Sequence, residues 1–157
     1  MLNGKRRMLL ARLGAGAASG LALATGWLRP QYSLAAEWNK TAFDARSLAG
    51  ALKGAGVVNP VSTQNIVIRT PDIAESGAQV PIEIASGLPG TDMLYLFVDK
   101  NPQPFAGSFS FMNGAEAFVS TRIKMGETSN LSIVARARGR FYLAVREVKV
   151  TIGGCGA

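Results

Sequence analysis

The stretch Val80-Pro81-Ile82-Glu83-Ile84-Ala85-Ser86, then Gly87-Leu88-Pro89-Gly90, then Met93-Leu94-Tyr95-Leu96-Phe97-Val98 decides the fold class. In its first part the apolar residues Val80, Ile82 and Ile84 alternate with other side chains. That period of two places one face of a strand in a core and the other toward water. The Gly/Pro cluster is a turn signal. Met93 to Val98 is a continuous apolar run, the pattern of a central strand covered on both faces. Outward from this pair the same period recurs in Ile66/Ile68, Phe109/Phe111, Phe118/Ser120, Leu131/Ile133/Ala135 and the long stretch Phe141 to Ile152. Turn signals separate the runs at Pro71-Asp72, Ser76-Gly77, Asn101 to Pro104, Asn113-Gly114, Gly126 and Gly139. About seven short strands at this spacing predict an all-β antiparallel sandwich. Along the last strand the apolar positions are odd (Phe141, Leu143, Val145) and then even (Val148, Val150, Ile152). This change of phase predicts a β-bulge or a change of partner sheet between Arg146 and Glu147.

Before the strands, residues 41–53 are rich in Ala and Leu and read as one short helix. Trp38, Phe43, Leu48 and Leu52 are its expected anchors, and Gly54 and Gly56 its stop. Residues 1–36 read differently. Lys5-Arg6-Arg7 precedes a Gly/Ala-rich apolar run from Met8 to Trp27 in which only Arg12 is charged. A basic region followed by such a run is the pattern of an export signal, and the paired arginines point to the twin-arginine route. Lys5 and Leu9 stand where such signals usually carry Ser or Thr and Phe. Cleavage is expected after Ala35 or Ala36, giving residues 37–152 as the folded domain and 153–157 as a tail. An uncleaved membrane anchor is the alternative, and the glycines and Arg29-Pro30 weaken it.

Charge follows from this division. The whole chain carries +7, but five of its 17 basic residues (Lys5, Arg6, Arg7, Arg12, Arg29) and none of its 10 acids precede residue 37. The remaining 121 residues hold 12 basic and 10 acidic side chains, a net of +2. Nucleic-acid binding driven by bulk charge is therefore not expected. The chain has no histidine, which removes any His-ligated metal site or His general base, and no cofactor is expected.

The sole cysteine is Cys155, in the terminal Thr151-Ile152-Gly153-Gly154-Cys155-Gly156-Ala157. It has no partner for an internal disulfide. Gly153, Gly154 and Gly156 offer no side chain to pack beside it and open backbone conformations closed to other residues. The five residues after Ile152 span at most roughly 17 Å. The tail therefore suits a thiol that reaches into a narrow channel of another molecule. Other readings of the residues are an inert surface thiol, an intermolecular disulfide in an exported β-sandwich of binding or structural role, or an unordered terminus. Prenylation does not fit, because only two residues follow the cysteine.

The segment Val148-Lys149-Val150-Thr151-Ile152-Gly153-Gly154-Cys155-Gly156 resembles the C-terminus of the SoxY family of sulfur carriers. Three internal stretches are similar to that family as well: Glu75-Ser76-Gly77-Ala78-Gln79-Val80-Pro81, Asp99-Lys100-Asn101-Pro102-Gln103-Pro104, and Ser120-Thr121-Arg122-Ile123-Lys124-Met125. The resemblance implies an immunoglobulin-like β-sandwich and a carrier without an active site of its own. It implies Cys155 as the point of covalent attachment for sulfur substrate, with Gly153, Gly154 and Gly156 as the spacers of its arm. It also implies a periplasmic location, a heterodimer with a SoxZ-like subunit, and successive encounters with a SoxAX cytochrome, a SoxB hydrolase and, in some organisms, SoxCD. The family's terminal glycine is Ala157 here, and Lys124 replaces an arginine. Pro102 and Pro104 are expected to stiffen their loop. Arg122 is either a partner-facing charge or a solvated strand residue.

Overall fold

Two sheets of unequal size carry the chain. The computed structural model describes residues 39–151; residues 1–36, read above as an export signal, Trp38, Ile152 and residues 153–157 lie outside the described residues. Helices α1 (Lys40–Asp44) and α2 (Leu48–Gly54) come first. Nine strands follow: β1 (Val61–Ser62), β2 (Ile66–Arg69), β3 (Ile73–Ala74), β4 (Val80–Ser86), β5 (Thr91–Val98), β6 (Phe105–Ser110), β7 (Phe118–Ile123), β8 (Ser129–Ala137) and β9 (Arg140–Val150). The larger sheet has the order β1-β9-β8-β5-β6, with β3 also paired to β9; the smaller is β2-β4-β7. The fold is the expected all-β sandwich. Its long pairings are antiparallel, but the two-residue strands β1 and β3 run parallel to β9. Both lie in segments too short to show a period, which is why seven strands and not nine are legible in the sequence.

The continuous apolar run becomes β5, between β8 and β6. Leu94, Leu96 and Val98 enter the core between the sheets, against Ile66 and Ile68 of β2, Val80, Ile82 and Ile84 of β4, and Val119 and Ile123 of β7. Tyr95 and Phe97 point the other way into a second core, which α1 and α2 close with Ala42, Ala51, Phe43, Leu48 and Leu52. Phe105 is the aromatic hinge of that layer, its ring 4.6 Å from Phe43 and 5.2 Å from the fully buried Phe97. Such tilted ring pairs add to the stabilisation from burial itself.

Two expectations need correction. The helix over 41–53 is broken in two, because Ala45 is extended and Ser47 starts a new helix. The Ser47 hydroxyl accepts from the Gly50 N–H at 3.2 Å, as the Asn39 carboxamide oxygen accepts from the Ala42 N–H at 3.1 Å. These side chains satisfy N–H groups in the first turn of each helix, which have no partner within the helix itself. Gly54 is not a stop but the last residue of α2, while Gly56 at φ +73° makes the turn out. Gly54 lets the helices touch: a Cβ there would lie 2.8 Å from the Ala42 backbone.

The phase change in β9 is not a bulge. Its register against β8 runs without interruption from Arg140↔Ala137 to Val148↔Ser129. Strict alternation places Phe141 and Leu143 under the helices and Tyr142, Ala144, Val148 and Val150 against the sandwich core. The helices cover only the first half of the strand, so Val145 is exposed. The apolar phase changes because burial passes from one face to the other. On its outer edge β9 does change partner, from β1 at Tyr142–Leu143 to β3 at Lys149–Val150.

Replacing Gly54 with Ala is expected to destabilise the fold by about 1–3 kcal/mol in urea titration, since backbone must shift to admit the methyl. Gly107→Ala, where a Cβ meets nothing within 4 Å, is expected to be near neutral. Burial raises the pKa of Tyr95 above its ordinary value of 10.0. The unfolded chain then loses this proton first, so stability falls as pH rises above about 10 and levels off past the folded-state pKa. Tyr95→Phe is expected to remove that part of the alkaline decline, measured as the denaturation midpoint between pH 8 and 11.

Candidate functional site

The end of β9 is held on both sides up to the last described residue. Towards β3, the Lys149 N–H donates to the Asp72 carbonyl at 3.0 Å and the Thr151 N–H to the Ala74 carbonyl at 3.1 Å. The Thr151 hydroxyl donates to the Glu75 carbonyl at 3.0 Å. Towards β8 the backbone ladder stops at Ser129↔Val148. There the Thr128 hydroxyl accepts from the Val150 N–H at 2.9 Å and faces the Val150 carbonyl at 3.4 Å. A side chain thus supplies the rung that the backbone of β8 no longer provides. Arg146 adds a tie between the sheets: it donates to the Ile68 carbonyl of β2 at 3.1 Å and to the Asp72 carboxylate at 2.7 Å. Cys155, Gly153, Gly154 and Gly156 lie outside the described residues. Cys155 follows Thr151 by four residues, so chain geometry bounds its distance from that anchor at roughly 14 Å.

The three internal stretches singled out in the sequence meet at this same end of the sandwich. Asn101 of the Asp99–Pro104 loop donates to the Lys124 carbonyl at 2.8 Å and accepts from the Gly126 N–H at 3.0 Å. The Met125 N–H donates to the Gly77 carbonyl at 2.7 Å, and the Met125 side chain is fully buried. Asp99 accepts from the Ser132 hydroxyl at 2.9 Å, and the Lys100 N–H donates to the Ser129 hydroxyl at 3.0 Å. Each stretch leaves or enters a different strand (β3 to β4, β5 to β6, β7 to β8), and the cross-links between them fix the platform from which β9 ends.

The two prolines divide in role. Pro104 is buried and its carbonyl accepts from the Val98 N–H at 2.8 Å, whereas Pro102 is exposed. Pro81 is tolerated in β4 because β2 has already left at Arg69↔Glu83, so only β7 pairs with that part of the strand. Arg122 is exposed on β7, across from Pro81.

The rim around the end of β9 is polar and of mixed charge, with Asp72, Glu75, Glu127 and Lys149 exposed near the strand and Lys100 and Lys124 exposed on the Asn101 side. Among the described residues, no group of three His, Cys, Asp or Glu side chains could hold a metal ion. An open cleft between β1, β2 and β9 is lined by Ser62, Thr63, Ile66, Ile68, Leu143 and Arg146. Among the described residues that line it, Arg146 alone is ionisable, and it is paired with Asp72. No structural role for Thr128 or Thr151 is legible in the sequence. A Ser/Thr cluster opening a strand, as in Thr128-Ser129, is the signal that would have found the first.

The family described as "Sulfur oxidation protein SoxY" matches residues 53–155, more than half of the chain. The structure of the sulfur carrier protein SoxY from Chlorobium limicola f thiosulfatophilum is 38% identical, with a TM-score of 0.62, covering 72% of this chain and 99% of that one. A superoxide reductase (neelaredoxin) from Ignicoccus hospitalis matches at 19% identity and a TM-score of 0.50, over 56% of this chain and 81% of that one, a likeness of fold alone. No curated protein matches the chain. The chain belongs to the SoxY family of sulfur oxidation proteins.

Proposed function

We propose that this protein is a periplasmic sulfur carrier, exported by the twin-arginine route, whose Cys155 covalently holds thiosulfate-derived sulfur and presents it to the enzymes of thiosulfate oxidation. The observation that carries this reading is the end of β9, pinned on both sides up to Thr151, four residues before the only thiol of the chain. A carrier needs a fixed platform and a short reach, and this arrangement supplies the first and bounds the second.

Loading forms a disulfide-type bond between the Cys155 sulfur and the outer sulfur of thiosulfate. The thiol proton goes to solvent and two electrons go to an external oxidant, a c-type cytochrome of the SoxAX kind. The thiolate is the reactive form of a cysteine. Gly153, Gly154 and Gly156 serve as spacers that admit the loaded cysteine to a partner's channel. The protein works beside a SoxZ-like subunit; a SoxB-type enzyme adds water to the sulfonate sulfur, which breaks its bond to the bridging sulfur, releases sulfate and leaves a persulfide on Cys155. Sulfur chemistry is then done by the partners, and this chain contributes the attachment point and its placement.

Cys155→Ser in the full system (the SoxZ-like subunit, the cytochrome and the hydrolase) is expected to abolish sulfate release from thiosulfate, while the melting midpoint stays within about 1 °C of wild type because the substitution exchanges one small side chain for another outside the core. Sulfate release at the wild-type rate from the serine variant would contradict the carrier role and leave the cysteine as a mere link between chains.

A further inference from the structure

The turn between β8 and β9 is built on a residue that does not suit it. Ala137 pairs with Arg140, and between them Arg138 (φ +51°) and Gly139 (φ +75°) both take left-handed backbone, as in a type I′ turn. The first of these two positions favours Asn, Asp or Gly, and a long side chain there is strained. The Arg138 side chain folds back over the β4–β5 turn, where a Cβ on Gly90 would meet its Cγ at 3.2 Å. It thereby lines a cleft of about 320 Å³ together with Leu88, Pro89, Ala137, Arg140 and Tyr142. Leu88 and Tyr142 pack against the core between the sheets, and Arg140 lies two residues before Tyr142, on the same face of β9. No lining residue is acidic. Arg136, just before the turn, is neutralised by Asp92 at 2.8 Å, but neither Arg138 nor Arg140 forms an ion pair among the described residues. Two unpaired guanidinium groups and a phenol hydroxyl thus share one recess whose remaining walls are apolar.

We propose that this cleft is a binding site for a free, doubly charged oxyanion of the sulfate type, held by Arg138 and Arg140 with the Tyr142 hydroxyl as a further donor. Guanidinium groups match the oxygens of such an anion in charge and in hydrogen-bond geometry. Two cations balance the two charges of one dianion, whereas a single carboxylate offered by another protein leaves one of them unpaired. A recess between two turns also admits a small group more readily than a protein surface. The strain at Arg138 then has a reason: an Asn-Gly turn suits the backbone better but brings no cation to the cleft. Ten residues separate Arg140 from Val150, roughly 33 Å of strand. The site is therefore distinct from the end of β9 at which the thiol-bearing segment departs, and it does not depend on the carrier reading.

The test is a titration of the isotope-labelled full chain with sodium sulfate, at an ionic strength held constant with sodium chloride and followed by amide chemical shifts. It is run on the chain alone and again with a SoxZ-like subunit present. The Gly90 and Gly139 amides are expected to shift saturably, half-complete by about 10 mM, the range that charge-assisted contacts open to water support. Arg140→Gln and Arg138→Asn are each expected to raise the half-saturating sulfate concentration about tenfold, the effect of one lost charge-assisted hydrogen bond. In chloride alone, Arg138→Asn is expected to melt above wild type, because Asn-Gly is the preferred pair for this turn. A residue kept only for the turn would not combine higher stability with weaker anion binding. Shifts in the wild type that do not saturate, or half-saturation unchanged in both variants, overturn the site. A lower melting midpoint in Arg138→Asn overturns it too, by making Arg138 a packing residue of the turn. So does a sulfate response that vanishes once the subunit is bound, which would give the cleft to a partner's carboxylate.

Discussion

The larger sheet is buried on both faces along β5 and β8, and the rest of the structure follows from that. A sheet facing water on one side needs only one apolar stripe per strand. Here Leu94, Leu96 and Val98 serve the core between the sheets while Tyr95 and Phe97 serve a second layer. That second layer obliges the chain to supply a cover, and α1 and α2 are the cover. The two short helices, broken at Ala45 and seated closely through Gly54, pack over Phe97, Phe105 and Val134.

Covering stops partway along β9, and this divides the strand into two functional halves. Its first half is packed from both sides. Its second half leaves the helices behind and is held by edge contacts instead, through β3, Thr128 and the Arg146 ties. The platform around that end is not assembled from one local motif. It is assembled from three chain reversals cross-linked by Asn101, by Met125 with Gly77, and by Asp99 with Ser132. Backbone groups that would otherwise be left unpaired in these loops are satisfied by the neighbouring loops, so the platform and the end of β9 share one hydrogen-bonded frame.

Much of this was legible in the sequence, for physical reasons. Strands β4, β5 and β8 each carry an apolar pattern long enough to show its period, and the central position of β5 follows from its unbroken run. The interest of Cys155 was legible because one thiol in 157 residues, between glycines, has no internal partner. Strands β1 and β3 were hidden because two residues make no pattern. The break between the helices was hidden because Ser47 lies within an Ala/Leu-rich stretch that favours helix on both sides. In β9, alternation alone cannot tell a change of covering layer from a bulge. Thr128 and Thr151 were silent because a hydroxyl's partner depends on which loops the fold brings together.

The most direct test of the account is the intact mass of the full chain after incubation with a SoxZ-like subunit, thiosulfate and a SoxAX-type cytochrome, the partners proposed for it, followed by peptide mapping. The account predicts a thiosulfate-derived adduct that is removed by a reducing thiol and maps to Cys155. An unmodified chain under conditions in which the cytochrome turns over, or an adduct mapping elsewhere, would contradict it.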